Sequence, residues 1–203
     1  MRPLRLAAIV EGHGETEAVP ILVRRIAAQI DPGLPVLVRP VLRIPSASLL
    51  RSGELERAVE LAGRAVAPLG ALLVLVDCDA DEACPAREGP QLLARARTAR
   101  SDLRTAVVLA RREFEAWFIA AAASLRGRRG LDGNLNPPPR PEEIRGAKGW
   151  LSRHMPRSQP YAEVTDQPAL TQAFDMGQAR SADSFDKCYR EIAALVEGHR
   201  AMR

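Results

Sequence analysis

Residues 71–79 read ALLVLVDCD, and this stretch decides the fold. Six consecutive apolar residues between a glycine and an aspartate are too short for a core helix and show no polar face. They predict a central strand over 71–76, covered on both sides as in a parallel sheet. Working outward, 4–10 (LRLAAIV) and 105–110 (TAVVLA) predict further buried strands, and 36–44 predicts a fourth in which Pro40 marks an edge or a bulge. The intervening segments carry helical spacing. Val19, Leu22, Val23, Ile26 and Ile30 line one face of a helix over 16–30, with Thr16 as its cap. Leu55, Ala58, Val59, Ala62 and Val66 do the same over 52–67, with Ser52 as cap, and helices over 90–100 and 114–125 follow. Strands alternating with helices predict an α/β fold, a mainly parallel sheet flanked by helices.

Beyond residue 125 the character changes. Residues 126–147 hold four glycines, four prolines and the run Asn136-Pro137-Pro138-Pro139, which reads as a long basic loop or hinge. Helical material returns over 150–155, 168–174 and 185–197. The 203 residues thus divide into an α/β domain (1–125), a Pro/Gly-rich basic loop (126–147) and a helical extension packing on the same domain (148–203).

Lysine and arginine number 29 against 25 acidic residues, and the surplus lies in the loop and its flank, a distribution compatible with a nucleic-acid partner. With only 8 aromatic residues (2 Trp, 2 Tyr, 4 Phe), a face of stacked aromatic platforms for single strands is not expected. Cys78, Cys84 and Cys188 form neither an even disulfide set nor a zinc spacing, which points to a reducing compartment. No apolar run reaches the roughly 18 residues of a membrane span, and no signal-peptide pattern is seen. A cytoplasmic protein with no membrane association is expected.

Three of the predicted strands end in carboxylates: Glu11 after the first, Asp77 and Asp79 after ALLVLV, Glu113 and Glu115 after TAVVLA. In a parallel sheet these ends share one edge, where ligands bind. Like charges brought together there are unfavourable unless a cation neutralises them. An oxygen-only donor set selects Mg²⁺ or Mn²⁺ over zinc. Glu15, in the first turn of the following helix, joins Glu11, Asp77 and Asp79 as a candidate ligand, although a helix-capping role suits it equally. Asp77 and Asp79 would share a face if the strand ran through both, whereas Asp81 and Glu82 fall in the next loop. Trp117 and Phe118 read as anchors of a core helix, and Arg126, Arg128 and Arg129 as a solvated basic loop.

The segments IVEGHGETEAVPILVRRI, LVLVDCDAD and REFEAWF, with AKGWLSRHM, Tyr161 with TDQPALT, and SADSFDKCYREI, resemble the bacterial Toprim-like family catalogued as domain of unknown function four-two-seven-six. The resemblance spans nearly the whole chain and implies a Toprim-like, Rossmann-like sheet. It also implies kinship with overcoming-lysogenization-defect nucleases, with Glu11 as the first-motif glutamate and Asp77 and Asp79 as the DxD pair. Relatives of this kind often accompany ATPases in bacterial defence loci. No topoisomerase or primase module is attached, so strand passage and primer synthesis are not implied. Only two basic residues are lysines, Lys148 and Lys187, and a compact point charge at either position suits a scissile phosphate. The expected function is a Mg²⁺- or Mn²⁺-dependent nucleic-acid phosphodiesterase, with Glu113 or Glu115 as a further ligand or water-orienting base. The alternative is a non-hydrolytic partner subunit of an ATPase or nucleotide-binding module.

Overall fold

Strand β3 (Ala71–Cys78) lies between β1 (Leu4–Val10) and β4 (Arg104–Arg111), and β2 (Val36–Arg43) lies beyond β1. The computed structural model describes residues 2–49, 51–79 and 85–202; Asp81, Glu82 and Cys84 lie outside them. All three strand pairings are parallel, in the order β2-β1-β3-β4. The alternation of side chains divides the core in two. Leu73 and Leu75 of β3, with Leu6, Ala8 and Val10 of β1 and Ala106 and Val108 of β4, face α1 (Glu15–Ile30) and α9 (Asp183–Arg200). Leu72, Val74 and Val76, with Ile9 and Val107, face α3 (Glu54–Val66) and α4 (Pro85–Ala99). Covered on both faces, β3 needs no polar side, which is why its apolar run is continuous.

Local departures from the sequence reading have identifiable causes. β2 is an edge strand, and its register against β1 slips between Val38 and Val41, where Pro40 supplies no N–H to the ladder. β3 runs two residues past its apolar run because Asp77 and Cys78 still pair with Ala110 and Arg111. Neither Thr16 nor Ser52 caps a helix: α1 follows Gly14, and α3 follows Gly53, whose φ of 82° suits glycine alone. The helix expected over 114–125 splits into α5 (Ala116–Ala120) and a 3₁₀ turn at Ala122–Leu125. A short α2 (Ser46–Leu49) precedes α3.

Residues 126–147 are a packed connection rather than a free hinge. Arg126 Nε donates to the Leu135 carbonyl at 2.6 Å, Arg129 pairs with the buried Asp166 at 2.8 Å, and Leu131 and Leu135 are buried. Glu142, also buried, accepts from the backbone N–H groups of Asp183 (3.1 Å) and Ser184 (3.0 Å) and so caps α9 from 41 residues away in sequence. Ser184 Oγ in turn accepts from Trp117 Nε1 at 2.8 Å and from the Arg111 backbone at 3.1 Å.

The remaining helices, α6 (Ala147–Arg153), α7 (Glu163–Ala173) and α8 (Met176–Ala179), complete the layer that α9 begins. Phe114, Trp117 and Phe118 interlock there with Phe174 and Phe185, ring centroids lying 4.6 to 5.7 Å apart. Among the described residues no helix is long and apolar enough to cross a membrane. Trp117→Ala removes the centre of the aromatic cluster and leaves Ser184 without its indole donor. Urea denaturation of that variant is expected to show a loss of roughly 3–5 kcal/mol.

Candidate functional site

The strand order reverses between β1 and β3: the chain leaves β1 to form β2 on one side and later returns to lay β3 on the other. Such a reversal opens a crevice at the carboxyl ends of the strands. Glu11 and Asp77 stand on its two sides. Glu11 Oε2 accepts from the Asp77 backbone N–H at 3.2 Å, bridging the two strands, and Oε1 accepts from Ser46 Oγ of α2 at 2.7 Å. Glu15, 2% exposed, folds back so that Oε2 accepts from the N–H groups of Glu11 (2.8 Å) and Gly12 (3.1 Å). Asp77 Oδ1 accepts from the Phe114 N–H at 2.9 Å and thereby fixes the start of the α5 segment.

Glu115 is fully buried. Its Oε1 accepts from Tyr161 Oη at 2.8 Å and Gln167 Nε2 at 3.2 Å, while Oε2 is buried with no hydrogen-bond partner. From the covering layer, Lys148 Nζ of α6 lies 3.0 Å from Glu163 Oε2 of α7. The other oxygen of Glu163 accepts from the Gly14 N–H at 3.1 Å. The turn Glu11-Gly12-His13-Gly14 is pressed against α7. A Cβ at Gly12 would stand 2.6 Å from Glu163 Oε1, and one at Gly14 would collide with Gln167 and the Glu163 carbonyl, so close approach explains both glycines.

Charge dominates this edge. Burial, followed by the negative charges of Glu15, Glu115 and Glu11, pushes Asp77 well above the usual carboxylate range, against the opposing pull of Lys148. Burial pushes Glu15 up to about 7, helped by Glu11 and Glu163 and opposed by its backbone hydrogen bonds. Burial also pushes Glu115 up to about 7 in spite of Lys148 and the Tyr161 hydrogen bond. Lys148 responds in the opposite sense. Desolvation works to lower it, but Glu115, Glu163 and Asp77 together hold it above its ordinary value. Glu163 is kept below the usual range because the Gly14 N–H and Lys148 outweigh its partial burial.

The structure thus brings together Glu11, Glu15, Asp77, Glu115 and Lys148. Glu113 turns away, its Oε1 accepting from the Ala147 N–H at 2.6 Å, where it holds the start of α6. Asp79 lies one residue beyond the end of β3 and is exposed, so strand geometry does not hold it on the face of Asp77; its carbonyl accepts from Arg112 Nη1 at 2.9 Å. Lys187 pairs with Glu191 along α9 at 3.4 Å. Glu163 and Gln167 were not singled out in the sequence, and the only signal for them is their place in the segment containing Tyr161 and TDQPALT.

The donors are all carboxylates, the hard-oxygen chemistry that suits Mg²⁺ or Mn²⁺, and the unpartnered Glu115 Oε2 is an acceptor still to be satisfied. Against this, among the described residues no three His, Cys, Asp or Glu side chains are grouped so as to hold a metal ion. In this arrangement the compensating cation is Lys148.

The raised pKa of Glu115 has a definite sign for stability. A carboxyl that ionises near 4.5 when unfolded and near 7 when folded favours the native state fully below about pH 4.5, and that contribution is lost as pH rises through 7. Glu115→Gln removes the titration. Measured by chemical denaturation, wild type is expected to lose about 3 kcal/mol relative to the variant between pH 4.5 and 8. A constant difference across that range would show that folding does not raise the Glu115 carboxyl above its ordinary range.

Neither the curated proteins nor the solved structures contain a significant match to this chain. Residues 10–193, which include Glu11, Glu15, Asp77, Glu115, Lys148 and Glu163, match the model of the family described as Domain of unknown function (DUF4276), and the chain belongs to that family.

Proposed function

We propose that the acidic edge is the catalytic site of a Mg²⁺- or Mn²⁺-dependent phosphodiesterase acting on nucleic acid. The observation that carries this reading is the gathering of two buried carboxylates, Glu15 and Glu115, against the part-buried Asp77, which both repel, with Lys148 beside Asp77 and Glu115 at the topological switch of a parallel sheet. A fold gains no stability from such a cluster, and excess negative charge in a crevice suits cation-assisted chemistry on phosphate. Glu11, Asp77 and Glu15 would hold the cation, with Asp79 able to approach from beyond the strand end. A bound cation of this type polarises a phosphoryl oxygen and acidifies water.

The chain's own residues supply the rest. Lys148 offers its ammonium to a non-bridging phosphate oxygen in exchange for Glu163. Glu115, with an unpartnered Oε2 and a pKa of about 7, exchanges a proton at that atom near neutral pH. Tyr161 and Gln167 hold its other oxygen and so orient it. Glu163 holds the Gly12-His13-Gly14 turn against α7 beside these residues.

The second reading, a non-hydrolytic partner of an ATPase, is favoured by the internal neutralisation through Lys148 and by the ungrouped metal ligands among the described residues. Incubation of the protein with DNA and RNA in Mg²⁺ or Mn²⁺ separates the two. Cleavage is expected to fall at least about 100-fold in Asp77→Asn and in Glu115→Gln, the latter through kcat with little change in KM. Equal cleavage by wild type and Asp77→Asn removes the catalytic assignment, and stable co-purification with an ATPase without metal binding establishes the alternative.

A further inference from the structure

At the opposite end of the sheet a second constellation has no part in the acidic edge. Arg104 opens β4 and, together with the end of α4 and with α9, borders a cavity of about 420 Å³. The cavity is bounded by Arg97 and Ser101, by Arg104 and Thr105, and on its apolar wall by Leu103 and Leu195. Its volume lies within the roughly 300–1,000 Å³ of small-ligand clefts.

Two features mark this as a built arrangement. Nη2 of Arg104 is buried with no hydrogen-bond partner. The guanidinium passes over Gly198 in the last turn of α9, where a Cβ would collide with Nη1. A glycine at this position leaves room for the arginine. Among the described residues neither Arg97 nor Arg104 is paired with a carboxylate. Glu191, which also borders the cavity, is engaged by Lys187. Burial alone lowers Arg104 from its ordinary pKa, with no acidic neighbour offsetting it.

Arg104 is part-buried, and its one buried N–H without an acceptor is an unmet demand that folding leaves in place. Planar N–H donors from two arginines, with the Ser101 hydroxyl beside them, match the tetrahedral oxygens of phosphate. We infer that the groove between α4 and α9 at the amino-terminal end of β4 binds a phosphate group, with Arg104 as its principal donor and Arg97 as the second. The ligand is the free ion or the phosphate of a small nucleotide whose remainder lies along Leu103 and Leu195.

Isothermal titration of the whole chain with inorganic phosphate, and separately with adenosine monophosphate, tests the inference. Saturable binding is expected for at least one of them. Tighter phosphate identifies the free ion as the ligand, and tighter monophosphate the nucleotide. Arg104→Met is expected to weaken binding at least tenfold, the loss of one charge-assisted contact. Gly198→Ala, which displaces the guanidinium without removing it, is expected to weaken binding as well. Asp77→Asn, at the other end of the sheet, is expected to bind as wild type does, so failure here and failure of the catalytic reading are read from different variants. Circular dichroism checks that each variant is folded. No saturable binding by wild type, or equal affinity in wild type and in folded Arg104→Met, overturns the site.

Discussion

The carboxyl edge of the sheet concentrates more negative charge than a low-dielectric crevice tolerates, and much of the surrounding structure compensates for it. Asp77 is tied to the Phe114 N–H, Glu11 to the Asp77 N–H and Ser46, and Glu15 to the N–H groups of its own entry turn. Each carboxylate is thereby given backbone dipoles that favour its charged form, yet burial and mutual repulsion still dominate for Asp77 and Glu15. What remains is met from outside the sheet by Lys148, whose own partner Glu163 also grips the Gly14 N–H. Removing the α6–α7 layer would therefore both uncover the edge and withdraw its positive charge.

The same layer is inseparable from the hydrophobic core. Phe174 and Phe185 from the C-terminal helices meet Phe114, Trp117 and Phe118 from the segment after β4 in one aromatic cluster. Glu142 and Ser184 add a polar seam beneath it that joins the connection, the end of β4 and the start of α9. Site and core thus share supports. Phe114 packs through its ring and holds Asp77 through its backbone N–H.

The strands were legible because a sheet covered on both faces writes itself as continuous apolar runs, and all four were located from 4–10, 36–44, 71–76 and 105–110. The acidic edge was legible in part for a topological reason: parallel strands deliver their C-terminal residues to one side, so Glu11, Asp77 and Glu115 could be grouped before any contact was known, but so were Glu113, which turns to the Ala147 N–H, and Asp79, which lies exposed beyond β3. Helix starts were less legible. Their orphan N–H groups are met by carboxylates distant in the chain, as Glu142 does for α9 and Glu113 for α6, and local capping patterns carry no trace of that. Glu163 was hidden for the same reason. A glutamate in the first turn of a helix is ordinary, and only the tertiary fold places it 149 residues from Gly14 and in contact with it.

That long-range contact bears on the order in which the chain matures. A polypeptide emerges from its amino end, at roughly 5–20 residues per second. Glu11, Glu15 and Asp77 therefore leave the ribosome well before Lys148 and Glu163. For that interval the nascent sheet carries its repelling carboxylates with no lysine to offset them and no α7 against the glycine turn. Closing so long a loop is entropically slow, and the edge strands stay open meanwhile. Assembly of the acidic edge is then a late event in biogenesis, completed only after all four strands, which end at Arg111, have been made.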